Sequence, residues 1–233
     1  MSGTKETRRE DIVYDEHGHI HEKKHFLGNA LDGAYTSYFA NGQVMANLQF
    51  RNGQKEGEAV SYYRDGQIRE KGAFKNDRLD GEYSNYFEDG QIREVEFYKE
   101  GKLQGIYRLY FKNGQLREEE NFVDGKFDGP YVSYYKSGQI KEKGFFVSDK
   151  RNGEYVAYYK SGRIKEKALY RNGKLEGKFQ MFDEQGVALK IPAWDNDEQP
   201  YESGEDIEEK EKRVEDLLRN LSNFEKNEEK DSS

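Results

Sequence analysis

Residues 105–128 read GIYRLYFKNGQLREEENFVDGKFD. Aromatic and branched residues flank Asn113-Gly114, and a second pair, Asp124-Gly125, closes the stretch. Such a pair between alternating apolar runs marks a β-hairpin, because a type I′ turn places both central residues at positive φ. The same stretch recurs along the chain. Gly33, Gly57, Gly81, Gly105, Gly129, Gly153 and Gly177 lie 24 residues apart, and Gly18, Gly42, Gly66, Gly90, Gly114, Gly138, Gly162 and Gly186 keep the same step. A fixed period in this range is the signature of a repeat architecture. Six full repeats run from Gly33 to Glu176, with partial ones before (from about Tyr14) and after (to about Ile191).

A two-residue loop at Asp65-Gly66 predicts a register. Arg64 pairs with Gln67, Tyr63 with Ile68, Tyr62 with Arg69 and Ser61 with Glu70. Side chains alternate faces along a strand. One face then carries Tyr63, Ile68, Glu70 and Phe74 and their counterparts in each repeat. The other carries Tyr38, Tyr62, Tyr86, Tyr110, Tyr134 and Tyr158 opposite Arg69, Arg93, Arg117, Lys141 and Lys165. Glu22, Glu70, Glu94, Glu118, Glu142 and Glu166 form a carboxylate column on the apolar face. Stacked like charges repel, so hydrogen bonds from tyrosines such as Tyr83, Tyr107, Tyr131 and Tyr155 are expected to support it.

The expected fold is all-β. It is an elongated antiparallel β-meander of about eight 24-residue hairpins, some sixteen strands, followed by a short C-terminal α-helix. The divisions are an N-terminal segment at 1–13, the array at 14–191, a linker at 192–204, an acidic amphipathic helix at 205–225 and a disordered tail at 226–233. The helix rests on the spacing of Ile207, Val214, Leu217, Leu218 and Leu221. It caps the last hairpin, lies in the sheet's own groove or engages a partner.

The chain has 233 residues, 36% of them charged, no cysteine and 14% aromatics. Its mean hydropathy is -1.17. Low hydropathy suggests disorder, but the aromatic share supplies a core. The lack of cysteine excludes disulfides, thiolate zinc sites and a thiol nucleophile. No run reaches the roughly 18 apolar residues of a membrane helix, and residues 1–18 lack the apolar segment of a secretory signal. A cytoplasmic protein without stable membrane insertion is expected.

Charge is unevenly spread. Residues 195–233 hold 15 acidic and 6 basic residues, residues 81–128 hold 11 and 7, and Gly129–Lys178 hold 5 and 12. The net charge of -8 opposes nucleic-acid binding. His19, His21 and His25 share a strand face in the predicted register, yet they occupy columns held by Gln, Arg and Ala elsewhere, so no metal site is assigned. No G-x-S-x-G, P-loop or H-E-x-x-H motif occurs. A catalytic site needs unique residues, and this array offers copies. No enzyme activity and no cofactor are expected.

The Tyr-x-x-Tyr-Phe-x-x-Gly-Gln-Leu-Arg-Glu run at 107–118, closed by Asp-Gly-Lys and copied through residues 14–191, resembles the MORN-repeat family. The resemblance is in particular to the bacterial variant found in YwqK-type antitoxin (immunity) proteins. Asp77 and Asp149 replace a turn glycine, Lys55 and Arg151 its apolar partner, and Ala59 a tyrosine. The resemblance implies a non-catalytic protein that binds and neutralises a cognate toxin. The exposed column Tyr62, Tyr86, Tyr110, Tyr134 and Tyr158, joined by Arg69, Arg93 and Arg117, forms the expected partner-binding set, since Tyr and Arg dominate interface hot spots. The alternative is a MORN-type scaffold that self-associates or binds lipid at a membrane surface. Neither reading forbids a homo-oligomer.

Overall fold

A computed structural model describes residues 6–190. The predicted helix at 205–225 and the tail beyond it lie outside these residues. The described chain forms one antiparallel sheet of 21 strands. No helix occurs among the described residues. Each long strand pairs with the long strands before and after it in sequence, as in the run Gly57–Tyr62, Ile68–Lys75, Gly81–Tyr86 and Ile92–Lys99. The first strand, Arg8–Tyr14, pairs with Ile20–Leu27 and so extends the sheet ahead of the first marked repeat.

Twenty-one strands serve fewer hairpin arms because the arm leaving each second turn is broken. Gln54–Lys55 precedes Gly57–Tyr62, and Arg78–Leu79 precedes Gly81–Tyr86. Phe74 pairs with Leu79, but Glu70 pairs with Asn85, so two extra residues bulge from the second arm. The glycine at this break has positive φ, reaching 130° at Gly129, where an added Cβ would stand 2.7 Å from the Cβ of Asn121. Only glycine fits there without strain.

The two turns of each repeat differ. At the second turn, Asn52 and Gly53 both have positive φ (51° and 81°), as type I′ requires. At the first turn only Gly66 does (89°); Asp65 does not. The Gly66 N–H donates to the Tyr63 carbonyl and the Tyr63 N–H to the Gln67 carbonyl. This is a three-residue loop, a type I turn followed by a left-handed glycine. Asp65 contributes its side chain instead, accepting the Gln67 N–H at 3.0 Å.

The predicted register is corrected accordingly. Tyr62 pairs with Ile68 and Ser61 with Glu70, and the shift between them leaves Arg69 as the extra residue of a bulge. Every full hairpin from Ala30 to Arg171 repeats a shift at this place. Ile68 therefore joins the face of Tyr62, not that of Glu70 and Phe74. Arg69 turns toward the glutamate column, which neighbours in sequence can share only where alternation is interrupted.

The buried face is continuous. Tyr107 meets Phe122 edge-on at 6.1 Å, Phe122 meets Phe127 at 4.5 Å, Phe127 meets Phe146 at 5.4 Å and Phe146 meets Tyr131 at 6.0 Å. Each buried ring contributes about 1.5–3 kcal/mol. Aromatic residues thus do the work that Leu and Val do elsewhere, which reconciles low hydropathy with a core. Lys55, in the column of Leu79 and Phe127, is also buried, its ammonium 5.9 Å from the Phe74 ring.

Candidate partner-binding surface

The buried face holds carboxylates that the repeat itself satisfies. Glu142 accepts the hydroxyls of Tyr131 at 2.7 Å and Tyr155 at 2.8 Å, with Ser133 at 3.4 Å. Glu22 accepts Tyr35 at 3.1 Å and Glu70 accepts Ser61 at 3.1 Å. Burial works against the charged form of Glu142, yet the hydrogen bonds from Tyr131 and Tyr155 hold its pKa below the ordinary value. Burial pushes the phenols of Tyr83, Tyr98, Tyr107 and Tyr155 upward, and neighbouring glutamates push them further. The bulge residues supply countercharge. Arg69 lies 3.5 Å from Glu70, Arg117 3.3 Å from Glu118 and Lys165 3.0 Å from Glu166. The middle repeats add Glu96 and Glu120, buried two residues along the strand from Glu94 and Glu118. The alternation Glu-x-Glu at 94–96 and 118–120 was the available signal for them.

A second polar column went unread in the sequence. Asp32, Glu56, Asp80, Gln104, Asp128 and Asn152 each precede a repeat glycine and accept a backbone N–H twenty residues on, at the second turn of the next repeat. The signal is plain once aligned: an acceptor side chain stands there in every copy. The Tyr63 column acts alike at the first turns. Tyr63 donates to the Tyr86 carbonyl at 2.6 Å, Tyr135 to Tyr158 at 2.7 Å and Tyr159 to Phe182 at 2.7 Å. Burial raises the Tyr63 pKa, with Arg93 and Arg69 pulling it back.

The outer face carries the expected binding column. Tyr62, Tyr86, Tyr110, Tyr134 and Tyr158 are half-buried, each paired with an aliphatic residue: Ile68, Ile92, Leu116, Ile140 and Ile164. The four isoleucines keep 37–42% of their surface exposed. Of the arginines expected beside these tyrosines, Arg69 and Arg117 contact the glutamate column, and Arg93 lies near Tyr63. The tyrosines thus run beside aliphatic side chains. Further down the strands, Lys71 pairs with Glu58 at 2.8 Å and Arg108 with Glu119 at 2.7 Å. The outer face thus carries both the tyrosine–aliphatic pairs and these ion pairs.

The histidines face separate carboxylates: His17 that of Glu16, His19 that of Asp15, His21 that of Glu22 and His25 that of Glu10. His25 bonds the Ala34 carbonyl at 2.8 Å, and His19 lies 3.2 Å from Asp15. Among the described residues no three His, Asp or Glu side chains are grouped to hold a metal. No helix of the described residues is long and apolar enough to cross a membrane.

The profile of the MORN repeat variant matches residues 31–52, 55–76, 79–100, 103–124, 127–148 and 151–172. No curated protein matches the chain. Among solved structures, a GtfA/B complex bound to UDP and GlcNAc is similar at 15% identity, with a TM-score of 0.22 over 50% of this chain and 22% of that one. The TcdB2-TccC3-Cdc42 structure is similar at 11% identity, with a TM-score of 0.19 over 76% of this chain and 13% of that one. The chain thus spans under a quarter of either. Likeness at these TM-scores bears on neither fold nor function.

Proposed function

Because the chain belongs to the MORN repeat variant family, we propose that it is a non-catalytic protein-binding array, and that its partner is a toxin which it neutralises by covering the toxin's active surface. The observation that carries the reading is the outer ladder of half-buried tyrosines and exposed isoleucines, copied hairpin after hairpin. Tyrosine offers large, rigid, amphipathic area at low entropic cost and is favoured in interface cores. The repeated polar groups of the buried face support the non-catalytic part, since they are engaged with one another. The acidic excess of residues 195–233 suits electrostatic steering of a basic toxin. The chain acts in the cytoplasm in this reading.

A second reading is favoured by the basic repeats Gly129–Lys178: a scaffold that self-associates or rests on anionic lipid. Affinity capture of the full chain from its host separates the two. One stoichiometric protein, whose toxicity on expression is relieved by co-expressing this chain, supports the first. Recovery of the chain alone, or salt-sensitive binding to anionic vesicles without a protein partner, sinks it in favour of the scaffold.

A further inference from the structure

The array becomes basic in its last two full hairpins. Phe145 pairs with Pro130 and Leu169 with Glu154, and both keep more than 40% of their surface exposed. They occupy the same place in successive repeats, so two strand spacings, about 9.6 Å, separate them. Two residues back along each strand stand Lys143 and Lys167, opposite Val132 and Val156. Their counterpart Lys71 is neutralised by Glu58 at 2.8 Å, and at the same place in the next repeat but one, Glu119 is neutralised by Arg108 at 2.7 Å. Lys143 and Lys167 stand in no ion pair among the described residues. At Lys143 the reason is local: Pro130 holds the place that Glu58 holds beside Lys71. At Lys167 that place is held by Glu154, exposed on the strand between Phe145 and Leu169, yet no ion pair joins the two among the described residues. Two exposed apolar side chains are thus flanked by two lysines outside any ion pair, within repeats carrying 12 basic and 5 acidic residues.

We propose that this surface docks an acidic amphipathic helix of the partner, lying across the strands along Phe145 and Leu169. An α-helix advances 1.5 Å per residue, so every seventh side chain recurs at about 10.5 Å. That matches the spacing of Phe145 and Leu169 within the scatter of side-chain reach. Apolar residues at that period meet the Phe145–Leu169 row, and carboxylates flanking them reach Lys143 and Lys167. An extended peptide running across the strands repeats at about 6.8 Å on one face and falls out of step. The helix-in-groove mode reads apolar anchors at helical spacing in the same way. The inference rests on the protein-binding reading above and specifies the chemistry of the partner.

The test uses the full chain and two synthetic 21-residue peptides of identical composition. In one, leucine recurs every seventh residue between glutamates; in the other the order is permuted. Fluorescence anisotropy of the first should saturate, and the permuted peptide should bind at least about tenfold more weakly. The variant Lys143→Glu/Lys167→Glu should lose about tenfold in affinity for the periodic peptide, and Phe145→Ser/Leu169→Ser similarly, with melting curves unchanged. Equal binding of both peptides, or charge reversal without effect, overturns the site. So does self-association of the wild-type chain that the charge-reversal variant abolishes, since the occupant is then a second copy. Capture of one stoichiometric host protein by wild type and variant alike also overturns the site and leaves the broader reading standing. Periodic-peptide binding with no protein captured does the reverse.

Discussion

The Tyr155 hydroxyl donates to Glu142, thirteen positions earlier and one hairpin away, at 2.8 Å. Tyr131, in the hairpin of Glu142 itself, donates to the other carboxylate oxygen at 2.7 Å. One side chain therefore couples two repeats, and in a repeat array stability is largely the sum of such neighbour terms. Removing one donor leaves a charged acceptor under-satisfied in a partly buried site. Tyr155→Phe should cost about 1.5–3 kcal/mol, the worth of a hydrogen bond to a charged group. Urea unfolding checks this. In a double-mutant cycle with Glu142→Gln the two losses should be less than additive, because both remove the same bond.

The same site predicts an acid limb. Glu142 titrates lower in the folded chain than in the unfolded one. Its stabilisation is therefore complete above the unfolded carboxyl value, about 4.3, and is lost as pH falls through the lower folded value. The melting temperature should fall below about pH 4.3, and Glu142→Gln should shrink that fall. Melting curves between about pH 3 and 7 read the difference. An identical slope in the variant would show that other carboxylates carry the acid limb.

Much of this was legible in sequence, and the errors of register share one physical root. The period, the hairpins, the aromatic columns and the tyrosine support of Glu142 follow from residue types at fixed spacing. Single extra residues do not. Asp65-Gly66 looks like a two-residue loop, yet Asp65 spends its side chain on the Gln67 N–H and leaves the left-handed conformation to Gly66 alone. That adds one residue to the loop, and the bulge at Arg69 adds another. Each exchanges the faces of its neighbours, so Ile68 came out and Arg69 went in. Period-2 alternation carries no mark of a bulge. The acceptor at Asp80 and its copies escaped notice because its partner is a backbone N–H in another repeat.

Two serines in the same column should respond oppositely to one change. Ser133 donates to Glu142 at 3.4 Å. Ser37 is fully buried, and its hydroxyl has no partner. It stands opposite Ala46, where the other repeats place a glutamate. A buried hydroxyl without a hydrogen bond costs about 1–3 kcal/mol. Ser37→Ala should therefore leave stability unchanged or raise it by about 1 kcal/mol, while Ser133→Ala should lower it by about 0.5–1.5 kcal/mol. Parallel urea titrations compare the two, and a loss at Ser37 as large as that at Ser133 would contradict the assignment.

The acceptor column joins the second turns, and its energetics can be isolated at Asp80. Its carboxylate takes the Glu100 N–H at 3.1 Å. Glu100 itself sits at a φ of 51°, a conformation unfavourable for a residue with a side chain. The hydrogen bond holds the turn in that conformation, so its loss acts on local order first. Asp80→Ala should cost about 0.5–1.5 kcal/mol globally, with faster hydrogen exchange at the Glu100 and Gly101 amides. The Gly101 N–H is held independently by the Leu79 carbonyl at 2.8 Å, so its protection should fall less than that of Glu100. Asp80→Asn keeps an acceptor of the same length, as Asn152 does for Asn172 at 3.3 Å, and should restore most of the protection. If the asparagine variant exchanges as fast as the alanine one, the negative charge and not the hydrogen bond organises the turn.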